Sequence, residues 1–89
     1  MIKMLIKIEV ENFSKWKMEF EAAEGIRLNA GSTGSQVFQN DENPKSVVVI
    51  TEWKSLENGK SFSESSVLRE AQQKSGVISK PESYVLEPV

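Results

Sequence analysis

From Ile2 to Val10 the chain alternates: Ile2, Met4, Ile6, Ile8 and Val10 share one parity, and Lys3, Leu5, Lys7 and Glu9 the other. A period of two predicts a strand with one buried face. From Phe13 the period lengthens. Phe13, Trp16, Phe20, Ala23, Ile26 and Ala30 recur every three or four residues and predict a single helical stripe facing a core. Asn12 or Ser14 can cap its first turn, and Gly31 suits a left-handed stop. Gly25 loosens the interior by about 1 kcal/mol relative to alanine.

Residues 31–35 read as a small, flexible link, followed by a short second strand over 36–40. Asp41 to Pro44 then reverse the chain, because proline cannot donate to a ladder and Asn and Asp favour turns. Ser46 to Trp53 is the most β-prone stretch, with Val47 to Ile50 apolar on both parities. Ser55 opens a short helical piece carrying Leu56 and Phe62, which Gly59 predicts to be irregular. Ser65 or Ser66 caps a further helix with Leu68 and Ala71 inward, Lys74 in its last turn and Gly76 at its end. Residues 77–81 link to a final strand over 82–87, stopped by Pro88.

The resulting order, βαββαβ, predicts an α+β ferredoxin-like sandwich: a four-stranded antiparallel sheet with its helices on one face, all within one domain spanning residues 1–89. The opposite face is left bare. Leu5, Val48 and Ile50 make that face apolar, and an exposed apolar patch of several hundred Å² invites association. The expectation is a homodimer packed sheet against sheet, with Lys7 and Glu52 able to pair on the shared face; the alternative is a monomer whose face Lys3, Lys7 and Glu52 keep wet.

Composition removes most other readings. Of the 89 residues 24 are Leu, Ile, Val or Phe, enough for a folded core rather than a disordered chain. The net charge of −2 offers no basic excess for nucleic acid. With no cysteine and no histidine there can be no disulfide, no thiolate or imidazole triad and no sulfur-built metal site. No cofactor is expected. The longest apolar run is far shorter than the roughly 20 residues that span a bilayer, which predicts a cytoplasmic protein with no membrane partner. Glu9, Glu11, Glu19, Glu21 and Glu24 read as a solvated surface with Lys15 and Lys17 among them, and the loop from Gly31 to Gly34 lacks the pattern of a phosphate loop.

Four stretches, VENFSKWKMEF (10–20), GSQVFQNDENP (34–44), VVITEWKSL (48–56) and SSVLREAQQKSGV followed by PESYVLE, resemble the dimeric α+β barrel superfamily. Within it the chain is similar to small cyclase-like and uncharacterised members related to antibiotic-biosynthesis monooxygenases. Glu52-Trp53, followed twelve residues on by Ser65, sits where that superfamily has a strand-ending tryptophan and a helix start. Phe62 stands where many monooxygenase-like members carry a histidine, and haem degradation, which needs an axial histidine, is not expected. The resemblance implies a dimeric barrel with an aromatic-walled pocket in each subunit, between the sheet and its helices.

Trp16, Phe20, Phe38, Trp53, Phe62 and Tyr84 are either the walls of such a pocket or plain core. Arg69 is either a group reaching a ligand anion at the pocket mouth or a solvated cation paired with Glu70 or Glu52. Arg27 falls at the edge of the helical stripe, where its stem can lie over apolar surface. Tyr84 can offer its hydroxyl to a ligand oxygen, and Glu52 could act as a base if desolvated. No acid, base and nucleophile set assembles. The expected function is therefore binding of a small aromatic or apolar molecule, with a cofactor-free monooxygenase or polyketide cyclase-like enzyme as the alternative.

Overall fold

The alternating segments form the strands of a single sheet. The computed structural model describes residues 2–89, in the order β1 (Ile2–Glu9), α1 (Phe13–Ala22), α2 (Glu24–Asn29), β2 (Ser32–Gln39), β3 (Ser46–Trp53), α3 (Leu56–Ser63), α4 (Ser66–Lys74) and β4 (Glu82–Leu86). The strands lie in the order β2-β3-β1-β4 with every neighbour antiparallel, which is the ferredoxin-like α+β arrangement. No helix among the described residues is long and apolar enough to cross a membrane.

Register assigns the faces. Met4 pairs with Thr51, Ile6 with Val49 and Ile8 with Val47, and directly opposed residues share a face. That face carries the helices. Its core joins Ile8, Val10, Trp16, Val47 and Val49, with Phe13, Phe20, Val37 and Val77 packed around them. Val10 is tied down after β1 ends, donating its N–H to the Lys45 carbonyl (2.8 Å), while Ile78 donates to the Glu9 carbonyl (2.9 Å).

The other face is uncovered. One row across it runs Gln36, Ile50, Leu5, Tyr84, and the next Phe38, Val48, Lys7, Glu82. Phe38 and Tyr84 are 50% and 53% exposed there. Lys3 rather than Lys7 pairs with Glu52, at 3.5 Å, because the register sets Lys3 directly opposite Glu52 and Lys7 opposite Val48.

Local signals account for most element ends. The Asn12 side chain accepts from the Lys15 N–H, Ser55 from Asn58 and Ser65 from Leu68, each satisfying a free first-turn donor. Gly31 has φ +106°. A side chain there would be strained and would also meet the Asn58 side chain. Gly31→Ala is therefore expected to lower the unfolding free energy by about 1–2 kcal/mol, read from the midpoint of a urea transition. An unchanged midpoint would mean that the turn relaxes at no cost.

Three further expectations need correction. The stripe from Phe13 to Ala30 is two helices, because the Ala23 N–H is shared between the Glu19 and Phe20 carbonyls and the chain re-phases at Glu24. Re-phasing leaves Ile26 49% exposed and buries Arg27 in its place. The second strand begins at Ser32, before the expected 36, accommodating its glycine through an irregularity between Ser32 and Gly34. Gly59 sits inside a regular helix, where it permits close approach: a Cβ there would come 2.8 Å from Met4 Sδ and 3.3 Å from the Trp53 ring.

Candidate functional site

The helix face of the sheet is only partly filled by side chains. A cavity of about 350 Å³ remains between the sheet and the two helix pairs. Its floor is Met4, Ile6, Val49 and Thr51. One wall comes from α1 and α2, the other from α3 and α4, including Leu68 and Ala71.

Aromatic pairs stand on two sides. Trp16 and Phe20, one helical turn apart on α1, stack with ring centroids 5.0 Å apart and planes 22° from parallel. Trp53, at the end of β3, lies 5.2 Å from Phe62 of α3 at 38°. The indole N–H of Trp53 donates to Thr51 Oγ1 at 2.7 Å, which fixes the ring and leaves the threonine its own hydroxyl proton to donate. Polar groups on the wall include Glu19, Arg27, Glu70, Gln72, Lys74 and Ser75. Lys74 of α4 reaches Glu19 of α1 at 3.7 Å, an exposed strap between the two helix pairs worth at most about 1 kcal/mol.

Arg27 is the most deeply placed charge. It is 6% exposed, its guanidinium lies 3.7 Å over the Phe20 ring, and Nη1 donates to the Phe20 carbonyl at 2.8 Å. Burial pulls its pKa below the ordinary arginine value, with Glu24 acting in the opposite sense. Expected only to rest its stem at an edge, this residue was not singled out for the pocket. The available signal was its place one turn beyond Ala23, but the re-phasing of the helix cannot be read from spacing.

Of the seven side chains singled out for a pocket, Trp16, Phe20, Trp53 and Phe62 come together around the cavity. Phe38 and Tyr84 do not, because their parity in the ladders turns them to the uncovered sheet face. Arg69 does not either: it is exposed and donates to the Glu64 carbonyl at 3.1 Å rather than pairing with Glu70 or Glu52. Among the described residues no cluster of three or more acidic side chains is disposed to hold a metal ion.

The model of a family described as antibiotic biosynthesis monooxygenase matches residues 1–74. A candidate antibiotic biosynthesis monooxygenase from Bordetella bronchiseptica has a similar structure, with a TM-score of 0.84 at 17% identity, covering 99% of this chain and 96% of that one. SnoaB, a cofactor-independent oxygenase from Streptomyces nogalater, is similar with a TM-score of 0.79 at 9% identity over 99% and 92% of the two chains. A conserved protein from Methanosarcina mazei gives 0.73 at 20% identity over 96% and 89%. At these identities the likeness is one of fold. No curated protein matches the sequence.

Proposed function

Because the chain belongs to the antibiotic biosynthesis monooxygenase family, we propose that it works as a homodimer in which each subunit holds a small flat aromatic molecule in the cavity between sheet and helices. The observation that carries this reading is the pair of aromatic walls, Trp16–Phe20 and Trp53–Phe62, around about 350 Å³ of largely apolar space. A cavity of a few hundred Å³ with apolar walls and a few polar groups is the usual form of a small-molecule site. Aromatic faces favour a planar guest through offset or tilted stacking. The dimer is supported by the uncovered face, where Leu5, Val48, Ile50, Phe38, Tyr84 and Leu86 form an apolar surface that no helix of the same chain reaches.

A second reading, oxygenation of the bound molecule without a cofactor, is favoured by the family and by the make-up of the walls. An electron-rich phenol can itself supply the electrons, taking up one O₂ and leaving as a quinone and one water. The cavity then has only to orient the ring and exclude water.

Both tryptophans line the cavity, so occupancy should report itself. Titration with naphthalene-type and hydroquinone-type molecules is expected to quench tryptophan fluorescence saturably, and Phe62→Ala to weaken that binding. No saturable change with any flat aromatic up to about 1 mM, equivalent to roughly 4 kcal/mol of affinity, would remove the binding role. Oxygen uptake by the same mixtures, above that of the free phenols, separates oxygenase from binder.

A further inference from the structure

We propose that Arg27 makes the cavity selective for aromatic anions, its guanidinium receiving a carboxylate or phenolate carried at the edge of the bound ring. The proposal rests on the cavity being a ligand site and adds the chemical class of the ligand.

The first ground is an unfinished set of bonds. A guanidinium carries five N–H donors in a rigid fork. Among the described residues the hydrogen bonding of the Arg27 guanidinium comes to one bond, from Nη1 to the Phe20 carbonyl, and no carboxylate lies within ion-pair distance. Yet the residue is buried. No buried side-chain nitrogen among the described residues is left unbonded, so the free guanidinium donors face open space of the cavity or the outer depression, and arginine cannot shed its charge by giving up its proton. The lowered pKa has burial as its main cause.

The second ground is position. Arg27 lies on the wall of the aromatic cavity and also on a shallow outer depression with Glu24, Leu28 and Ser32. Its guanidinium carbon lies 3.7 Å from the Phe20 ring centroid, which places the N–H donors beside one aromatic wall. A flat molecule between the aromatic walls would meet the guanidinium with its own edge, the approach that suits bidentate recognition of a carboxylate.

The third ground is the surrounding charge. Glu19 and Lys74 also line the cavity, but they neutralise each other at 3.7 Å. Glu70 also lines the cavity but stands exposed on α4, and Glu24 lines the outer depression rather than the cavity. Arg27 is therefore the one buried charge on the cavity wall among the described residues, with Glu24 acting on it from beyond ion-pair distance.

The test compares two ligands of nearly the same shape, 2-naphthoate and the neutral 2-naphthamide, by tryptophan fluorescence on the wild-type chain, Arg27→Met and Arg27→Lys. Wild type is expected to bind the carboxylate about tenfold more tightly than the amide, a difference within the range of charge-assisted hydrogen bonds. In Arg27→Met the ratio should fall to about one with amide binding kept, and in Arg27→Lys it should be intermediate. A merely structural arginine would weaken both ligands together in Arg27→Met, and that result overturns the proposal. So does equal binding of the two ligands by wild type, a comparison that decides the matter alone if Arg27→Met does not fold. Amide binding without carboxylate preference sinks only the role of Arg27, whereas binding of neither ligand sinks the cavity reading with it.

Discussion

Trp53→Ala is expected to lower the unfolding free energy by about 3–5 kcal/mol, the range for deleting a large buried aromatic, and so to remove a large part of a stability of order 5–15 kcal/mol. Trp53 is 1% exposed although it borders a cavity, because its ring is held on several sides. Phe62 lies against it, the backbone of α3 approaches at Gly59, and the indole N–H is bonded to Thr51. Removal would merge the vacated volume with the existing 350 Å³ and leave the Thr51 hydroxyl without its donor. Trp53→Phe keeps a ring but not the N–H, and should cost about 1–2 kcal/mol, near that of one lost buried hydrogen bond. Urea unfolding followed by circular dichroism at one fixed protein concentration measures both, since association would otherwise shift the midpoints. A loss below about 1.5 kcal/mol for the alanine variant would show that the ring contributes little packing.

The second large effect concerns assembly. Ile50 lies on the inner strand β3, on the uncovered face, in the row with Gln36, Leu5 and Tyr84. In a face-to-face homodimer an exchanged patch meets itself, so a single substitution is felt twice. Ile50→Lys should raise the dimer dissociation constant by at least about 100-fold, as two ammonium groups lose water near each other without a counter-ion. Sedimentation at micromolar concentration should then find a species near twice the 10.0 kDa chain mass for wild type and a single chain mass for the variant. Because Ile50 points away from the helices, the variant should keep its far-ultraviolet spectrum. A wild-type protein that sediments as single chains would end the homodimer reading, and an Ile50→Lys dimer would place the contact on another surface.

These expectations differ in how far the residues alone could reach them. That Trp16 and Phe20 face the core was within reach, since they share one helical stripe, whereas the inward places of Trp53 and Phe62 rest on the β3 register and on a helix the spacing leaves irregular. That Phe38 and Tyr84 do not face the core was out of reach. Both are aromatic residues in short strands, and only the register of β2 on β3 and of β4 on β1 decides which face they take. Arg27 shows the same limit in a helix: an even count from Phe20 and Ala23 leaves it at the edge of the stripe, whereas the shared bonds of the Ala23 N–H turn α2 and carry it inside.

What the residues determine by themselves is local. The alternation of β1 and β3, the caps at Asn12, Ser55 and Ser65 and the stop at Gly31 follow from backbone sterics and from the hydrogen-bonding needs of the first and last turns, which act over a few residues. Element order and the missing cover on one sheet face follow from those. Tertiary structure alone decides which side chains share the cavity, that Glu52 meets Lys3, and that a guanidinium is buried beside Phe20 with no acid within ion-pair distance. Each depends on pairing between strands or packing between helices far apart along the chain. A shift of one residue there reverses a face, while the local pattern stays unchanged.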